Sequence, residues 1–301
     1  MALPTQAIFC FFLSSLLCLV SLRLSTAVGG MDVPDGVRKC HLRPTPRLGG
    51  MAFFSSFALV SLLGMTAPSD VLPLLFGGAL LVLSGFLDDT RSLSPQSKLP
   101  LQFLAAAGAL FLFDPPTRIS CFSLSLSLPA PLSFFLFSLY LVASVNAVNF
   151  IDGADGLAAG CVLPMLFGLS LLFLQGGEEE RLRLALLLAF ALLGFLPFNR
   201  PPARLFMGDA GSQFLGFALA YLTLRRDAFS LSRLLFLALP LSDLCVTVSG
   251  RILKKKSPFA ADRTHFHHRL AARGFSPREI LFFAFSLSLA ASTLGVALSL
   301  L

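Results

Sequence analysis

Residues 138–173 read SLYLVASVNAVNFIDGADGLAAGCVLPMLFGLSLLF. Two apolar runs, near 129–147 and 158–175, close on a short segment that holds Asn146, Asn149, Asp152 and Asp155. A bilayer-spanning helix needs about 20 predominantly apolar residues. Backbone inside lipid must satisfy its own hydrogen bonds, so such runs read as helices and not as an open sheet. The same texture recurs near 4–22, 50–67, 71–87, 99–113, 182–198, 210–224, 233–250 and 279–301. Runs 71–87, 99–113 and 210–224 are short, and need to extend into the neighbouring polar loops or to tilt. The expected fold is an all-α, multi-pass integral membrane bundle of about ten transmembrane helices, one domain over 1–301.

Composition agrees with that reading. Of 301 residues, 55% are hydrophobic and 13% charged, with a mean hydropathy of +0.82. A soluble domain averages roughly 45–50% apolar and about 25% charged. A soluble globular fold, a disordered chain and a nucleic-acid binder are therefore poor fits. The longest non-apolar stretch, about 251–278, is too short for a core of its own. Six cysteines lie mostly in apolar runs without a CxxC pair, so neither a disulfide framework nor a zinc site is expected. The 32 phenylalanines read as lipid-facing and core bulk. The segment 120–128, SCFSLSLSL, alternates with the period of a strand, and reads as a short external hairpin or as the entry to the fifth helix.

Charge sets the sidedness. No Lys or Arg precedes the first run and Arg23 follows it, the reverse of a secretory signal. It reads as an uncleaved helix with its N-terminus outside. The connections 23–49, 88–98, 148–157, 199–209 and 251–278 then share one side and carry 17 of the 23 Lys and Arg, against six opposite. Excess basic charge marks the cytoplasmic face.

The polar, Gly- and Asp-rich segments fall on that same face: Arg38–Gly50, Gly85–Lys98, Asn146–Gly160, Pro197–Ser212 and Lys254–Leu270. Asp88 and Asp89 end the third run, where the helix dipole disfavours two acids. A cation must answer them, either Lys98 or a bound metal. Asn146, Asn149 and Asp152 recur every third residue, stacked along one helix face. Asp155 with Gly153 and Gly156 then opens a turn whose amides can approach an anion. An Asx-rich helix stop explains the local pattern, but three such groups at membrane depth are costly without a function. Asp209 sits between Gly208 and Ala210, and reads as a helix cap or as a further acid facing the same basin. Oxygen ligands of this kind suit a hard cation such as Mg²⁺, which takes one or two carboxylates plus substrate phosphates and water. His265, His267, His268 and Arg269 form a cationic loop fit for phosphate or nucleotide. Lys254–Lys256 read equally well as a positive-inside anchor. Asp243, inside the ninth run, is an intramembrane acid of open role.

In order along about 230 residues, RKCHLRPTPRLGG, GFLDD with Lys98, NAVNFIDGADGLAAG, FNRPPARLFMGDAGS and HFHHRL resemble the polyprenyl-phosphate N-acetylhexosamine-1-phosphate transferase superfamily (glycosyltransferase family 4). The resemblance implies transfer of a sugar-1-phosphate from a UDP-N-acetylhexosamine donor to undecaprenyl phosphate, with Mg²⁺ (or Mn²⁺ as substitute) and release of UMP. It implies a bacterial cytoplasmic membrane enzyme working from the cytoplasmic face on a membrane lipid, a homodimer being open and nucleic acid not involved. By the same resemblance, Asn149 and Asp209 contact the metal and Asp152 lines the catalytic centre. Asp88, Asp89 and Lys98 face the acceptor phosphate, and His267 and His268 the donor diphosphate or sugar. Phe206 stacks on uracil, with Asp155 and Asn199 nearby; Asn146 and Arg269 complete the binding set. The first-loop and HxHHRL patterns resemble the branch using UDP-N-acetylglucosamine. Phospho-N-acetylmuramoyl-pentapeptide transferase is the alternative, although that branch tends to carry three consecutive histidines where this chain has His265-Phe266-His267-His268. A transporter is a weaker rival, because its acids sit near mid-bilayer and only Asp243 does so here.

Overall fold

The computed structural model describes residues 2–28, 30–32, 44–121, 123–257 and 264–299. The first half of the expected RKCHLRPTPRLGG motif, through Arg43, lies outside the described residues. Ten helical stretches fall on the ten apolar runs. They are α1 (Leu3–Val28), α2 (Gly49–Leu63), α3 (Pro68–Arg91), α4 (Pro95–Phe113), α5 (Ala130–Ile151), α6 (Leu157–Gly176), α7 (Glu179–Asn199), α8 (Gly208–Thr223), α9 (Ala238–Leu253, entered through a 3-10 turn at Leu231–Leu237) and, after the short α10 (Phe266–Ala271), α11 (Pro277–Ser299). Among the described residues, seven stretches are long and apolar enough to cross a membrane: α1, α3, α5, α6, α7, the continuous Leu231–Leu253 and α11. The protein is an all-α multi-pass membrane protein, with a helix count near ten.

Two of the short runs reach length by growing into the polar loops. α3 continues through Asp88 and Asp89 to Arg91, stopping where Ser92 turns left-handed at φ 53°. α4 starts at Pro95, with the Ser94 hydroxyl accepting the Ser97 N–H at 3.3 Å, a polar N-cap followed by a proline that needs no donor. α8 stays at 16 residues, about 24 Å at 1.5 Å per residue, short of a roughly 30 Å hydrocarbon layer. It does not need that length, because every residue from Ala210 to Thr223 is buried among α2, α3, α5 and the 3-10 turn. Small residues bring these backbones together. A Cβ on Gly85 would lie 2.2 Å from the Ala210 nitrogen, and one on Gly50 2.2 Å from the Gly211 nitrogen. Phe214 of α8 fills the space beyond, against Phe53, Phe54 and Phe57 of α2.

Around this centre, α1 docks on α7 through hydroxyls: Ser14 donates to the Ala191 carbonyl at 2.7 Å and Ser15 to that of Gly194 at 3.0 Å. α6 lies between α7 and α11. Large apolar side chains such as Phe12, Phe111, Phe135, Leu174 and Phe282 stand exposed on the outer surface, as a lipid-facing coat requires. Residues 118–121 and 124–127 form β3 and β4, an antiparallel hairpin, so the alternating SCFSLSLSL segment is a strand pair. β1 (Met31–Asp32) pairs with β2 (Thr45–Pro46) at the other end, and β5 (Phe229–Ser230) runs parallel to β3.

The hairpin end carries a knot of paired charges. Arg181 reaches the Leu222 and Leu224 carbonyls and lies 3.8 Å from Asp70. Arg183 pairs with Glu180 and donates to the Ser61 carbonyl. Arg226 meets Asp70 at 3.1 Å, Arg225 meets Asp227 at 3.0 Å, and Arg233 meets Glu178 at 3.4 Å. Five of the six arginines on this side are thus answered by acids.

Candidate active site

Asp88 and Asp89 are neighbours in sequence with separate tasks. The Asp89 carboxylate is buried and accepts the N–H groups of Asp209 (3.1 Å) and Ala210 (3.3 Å). It therefore supplies an anion to the unpaired first turn of α8, where the helix dipole favours one. Arg47 approaches Asp89 at 3.9 Å. Gly208 turns left-handed at φ +67°, and a Cβ there would fall 2.3 Å from Asp89 Oδ2. Asp88 faces the other way. Its Oδ1 accepts the Leu93 N–H at 2.6 Å, and Lys98 Nζ lies 2.6 Å from Oδ2. The same ammonium donates to Asp209 Oδ2 at 2.7 Å. Lys98, carried by the first turn of α4, thus answers Asp88 of the acid pair and bridges α3 to α8, while the basic group nearest Asp89 is Arg47.

Asp209 receives further donors. Asn149 Nδ2 donates to its Oδ1 at 3.1 Å and to Ser212 Oγ at 2.8 Å, and Gln213 Nε2 donates to its Oδ2 at 3.3 Å. Gln102 then links Gln213 to Asn146: its Nε2 donates to Gln213 Oε1 at 3.3 Å, and Asn146 Nδ2 donates to Gln102 Oε1 at 2.7 Å. Gln102, Ser212 and Gln213 are additions to the residues read from sequence. Their signal was helical spacing: Ser212 and Gln213 stand three and four places after Asp209, and Gln102 four after Lys98. Asp152, at the C-cap of α5, remains half-buried. Burial, and after it the carboxylates of Asp209 and Asp89, push its carboxyl well above the usual carboxylate range.

The turn after α5 is sewn to the loop before α8. Gly156 N–H donates to Asn199 Oδ1 at 3.1 Å, Asn199 Nδ2 donates to the Leu205 carbonyl at 3.1 Å, and Ala203 N–H donates to Asp155 Oδ2 at 2.8 Å. Asn199 is buried, so its amide shapes the two loops, whereas Asp155 and Phe206 keep partial exposure. Phe206 is held by its backbone: its N–H donates to the Pro46 carbonyl at 2.8 Å and its carbonyl accepts from Gly49 at 2.9 Å. The described part of the first loop joins the site through this pairing.

The histidine loop hangs on Asp243. That buried carboxylate accepts the Phe266 N–H at 2.7 Å and an Arg269 guanidinium N–H at 3.0 Å, and it meets His265 Nδ1 at 3.0 Å. Asp243 and His265, left open by the sequence, anchor α10 to α9. Replacing Asp243 with Ala is expected to speed amide hydrogen exchange across 265–271 by about tenfold or more, since charged hydrogen bonds are worth ~1.5–3 kcal/mol each. Unchanged exchange there would show the loop to be held by something else. His267 is pressed over the Asn146–Gly160 motif, where a Cβ on Gly153 would be 2.3 Å from its Nε2. Neither of its ring nitrogens has a partner in the described structure. Burial, then His268 and His265, lowers its pKa to about 4. The folded value lies below the free value, so the neutral ring favours folding above about pH 6.5 and that contribution fades on acidification toward pH 4. A histidine-labelled NMR titration, with His267→Asn marking the resonance, is expected to show no protonation of His267 between pH 8 and about 5.5.

Among the described residues, no three His, Cys, Asp or Glu side chains converge to hold a metal ion by themselves. The Asp209 carboxylate and the Asn149 carboxamide are oxygen-bearing groups of the kind a hard cation takes beside substrate phosphates and water, and a cation there would displace donors that now sit on Asp209.

The family match covers the segments from Asp88 to Asp209, and not the first loop or the histidine loop. Residues 71–226 match the family described as Glycosyl transferase family 4. The chain is 33% identical over 269 residues to a probable undecaprenyl-phosphate N-acetylglucosaminyl 1-phosphate transferase of Bacillus subtilis, covering 85% of this chain and 74% of that protein. It is 32% identical to an undecaprenyl-phosphate alpha-N-acetylglucosaminyl 1-phosphate transferase of Thermotoga maritima, covering 97% and 88%. An Escherichia coli protein of the latter description is 27% identical, covering 93% and 79%. The family match and these relatives make the protein a glycosyltransferase of the phosphotransferase type. The chain belongs to glycosyl transferase family 4.

Proposed function

We propose that the protein transfers N-acetylglucosamine-1-phosphate from a UDP-sugar to undecaprenyl phosphate, releasing UMP, at the cytoplasmic face of a bacterial membrane as the first step of a cell-envelope glycan. The observation that carries this reading is the bridge of Lys98 between Asp88 and Asp209, with Asn149 on the same carboxylate. It is a compact set of charges of both signs at the end of the bundle, suited to holding phosphate groups together with a divalent cation. The N-acetylglucosaminyl descriptions of the relatives support this branch and do not favour the muramoyl-pentapeptide alternative.

In the proposed reaction an oxygen of the acceptor phosphate attacks the sugar-bearing phosphorus of the donor in line, and the bond to the UMP oxygen breaks. Such transfers depend on positioning and charge stabilisation. Lys98 and the neutral His267 would orient phosphate oxygens, and the turn at Gly153–Gly156 with Phe206 would hold the nucleoside. Asp209 and Asn149 would hold Mg²⁺, which when bound offsets diphosphate charge. A phosphate monoester with a second pKa of about 6 is already mostly ionised at pH 7, so Asp88 acts as the organiser of Lys98 and not as a base. Asp88→Asn is accordingly expected to lose activity by a similar factor across about pH 5.5–8.5; recovery at high pH would assign it the base.

The direct test is UMP release by the purified protein given UDP-N-acetylglucosamine, undecaprenyl phosphate and Mg²⁺, with EDTA abolishing it. No UMP from any UDP-hexosamine, together with ion flux in liposomes, would return the protein to the transporter class.

A further inference from the structure

Beside the loop that carries Phe206, but outside the catalytic cluster, lies a pocket of about 470 Å³ lined by Pro197, Arg200, Pro201, Pro202, Arg204 and Arg278. Arg200 follows the last residue of α7, and Arg278 is the second residue of α11. Both helices are membrane-crossing by length and composition, one ending at Asn199 and the other starting at Pro277. The three guanidinium groups are therefore placed where two spans leave the hydrocarbon, at the level of lipid headgroups. All three side chains are exposed. Arg204 lies over the Phe198 ring at 5.5 Å, and among the described residues no carboxylate comes within ion-pair distance of any of the three. The arginines of the hairpin end make the contrast, since there five of six are matched by acids. Three cations gathered around one hollow repel one another unless an anion joins them.

We propose that this pocket binds the phosphodiester headgroup of an anionic phospholipid from the surrounding leaflet, of the phosphatidylglycerol or cardiolipin kind. Basic pockets between transmembrane helices bind such headgroups, and the planar fork of arginine matches two phosphate oxygens at once. The prolines give the hollow a stiff floor without N–H donors. None of Asp88, Lys98, Asn149, Asp152 or Asp209 lines it, which separates it from the phosphates of the reaction. It is nonetheless coupled to the site. The loop bearing Arg200 and Arg204 also supplies the Ala203 N–H to Asp155 and the Leu205 carbonyl to Asn199. A headgroup seated on the arginines would hold this loop, and with it the turn at Gly153–Gly156, in place.

The test uses the full chain in nanodiscs of phosphatidylcholine doped with cardiolipin, with lipid retention read by native mass spectrometry. Wild type is expected to retain cardiolipin, and the triple variant Arg200→Gln, Arg204→Gln, Arg278→Gln to retain it roughly a hundredfold less. Arg278→Gln alone, on an exposed side chain, is expected to show a partial loss and guards against misfolding of the triple variant. Equal retention by wild type and both variants overturns the proposal. A raised KM for undecaprenyl phosphate with retention unchanged also overturns it, giving the pocket to the acceptor. Displacement of cardiolipin by millimolar inorganic phosphate would show a free-phosphate site instead. Retention needs no turnover, so this result stands apart from that of the proposed reaction.

Discussion

Asp209→Asn is expected to lower UMP release by about a thousandfold, at the upper end for one preorganised electrostatic group, while leaving the protein folded. The replacement keeps the shape of the side chain. Lys98 retains Asp88 as a partner at 2.6 Å, and the first turn of α8 retains Asp89 on the N–H groups of residues 209 and 210. What is lost is one negative charge, on the carboxylate proposed to hold Mg²⁺, at the point where Lys98, Asn149 and Gln213 converge. Turnover with saturating substrates and the melting temperature in detergent decide the matter. A loss below about tenfold with an unchanged melting temperature would remove Asp209 from the centre of the chemistry.

Gly85→Ala is expected to prevent recovery of folded protein. The added methyl carbon would stand 2.2 Å from the Ala210 nitrogen and 2.4 Å from its Cα, and neither atom belongs to a flexible side chain that can swing away. α3 and α8 would have to separate, which exceeds the ~1–3 kcal/mol usual for overpacking because backbone, not a rotamer, must move. Separation would also draw Asp89 away from the start of α8, so any surviving protein should be inactive. Size-exclusion chromatography in detergent gives the readout. Gly250→Ala, where nothing lies within 4 Å of the added carbon, is the control expected to elute as wild type. A monodisperse, active Gly85→Ala protein would mean that the helices meet differently.

Much of the membrane architecture is legible in residue order because lipid imposes a simple rule: long apolar runs become helices, and charged and amide groups collect where those runs end. Alternation over 120–128 leaves a hairpin and a helix entry both open, and the strands at 118–121 and 124–127 show the hairpin. What the pattern does not carry is partnership. Asp88 and Asp89 look alike in sequence, yet one takes Lys98 and the other caps α8, because a single step of about 100° along a helix turns them to different neighbours. Asp243 and His265 stand 22 residues apart and meet only through the return of the chain from α9 to α10. Gln102 is one polar residue in an apolar run until Asn146 and Gln213 are brought to it. The arginines of the hairpin end read as a charge tally, and their pairing needs the tertiary structure.

The enclosure of α8 bears on how the chain is made. A helix of 16 residues that begins with Gly-Asp-Ala-Gly-Ser-Gln is a poor candidate to partition into a bilayer by its own apolarity. The three helices that sheathe it most closely, α2, α3 and α5, are all synthesised earlier. Emerging from the ribosome, α8 can pass from the insertion machinery into a slot already lined by those three helices, carrying Asp209 to Lys98 as it arrives and leaving the 3-10 turn, α9, the histidine loop and α11 to follow.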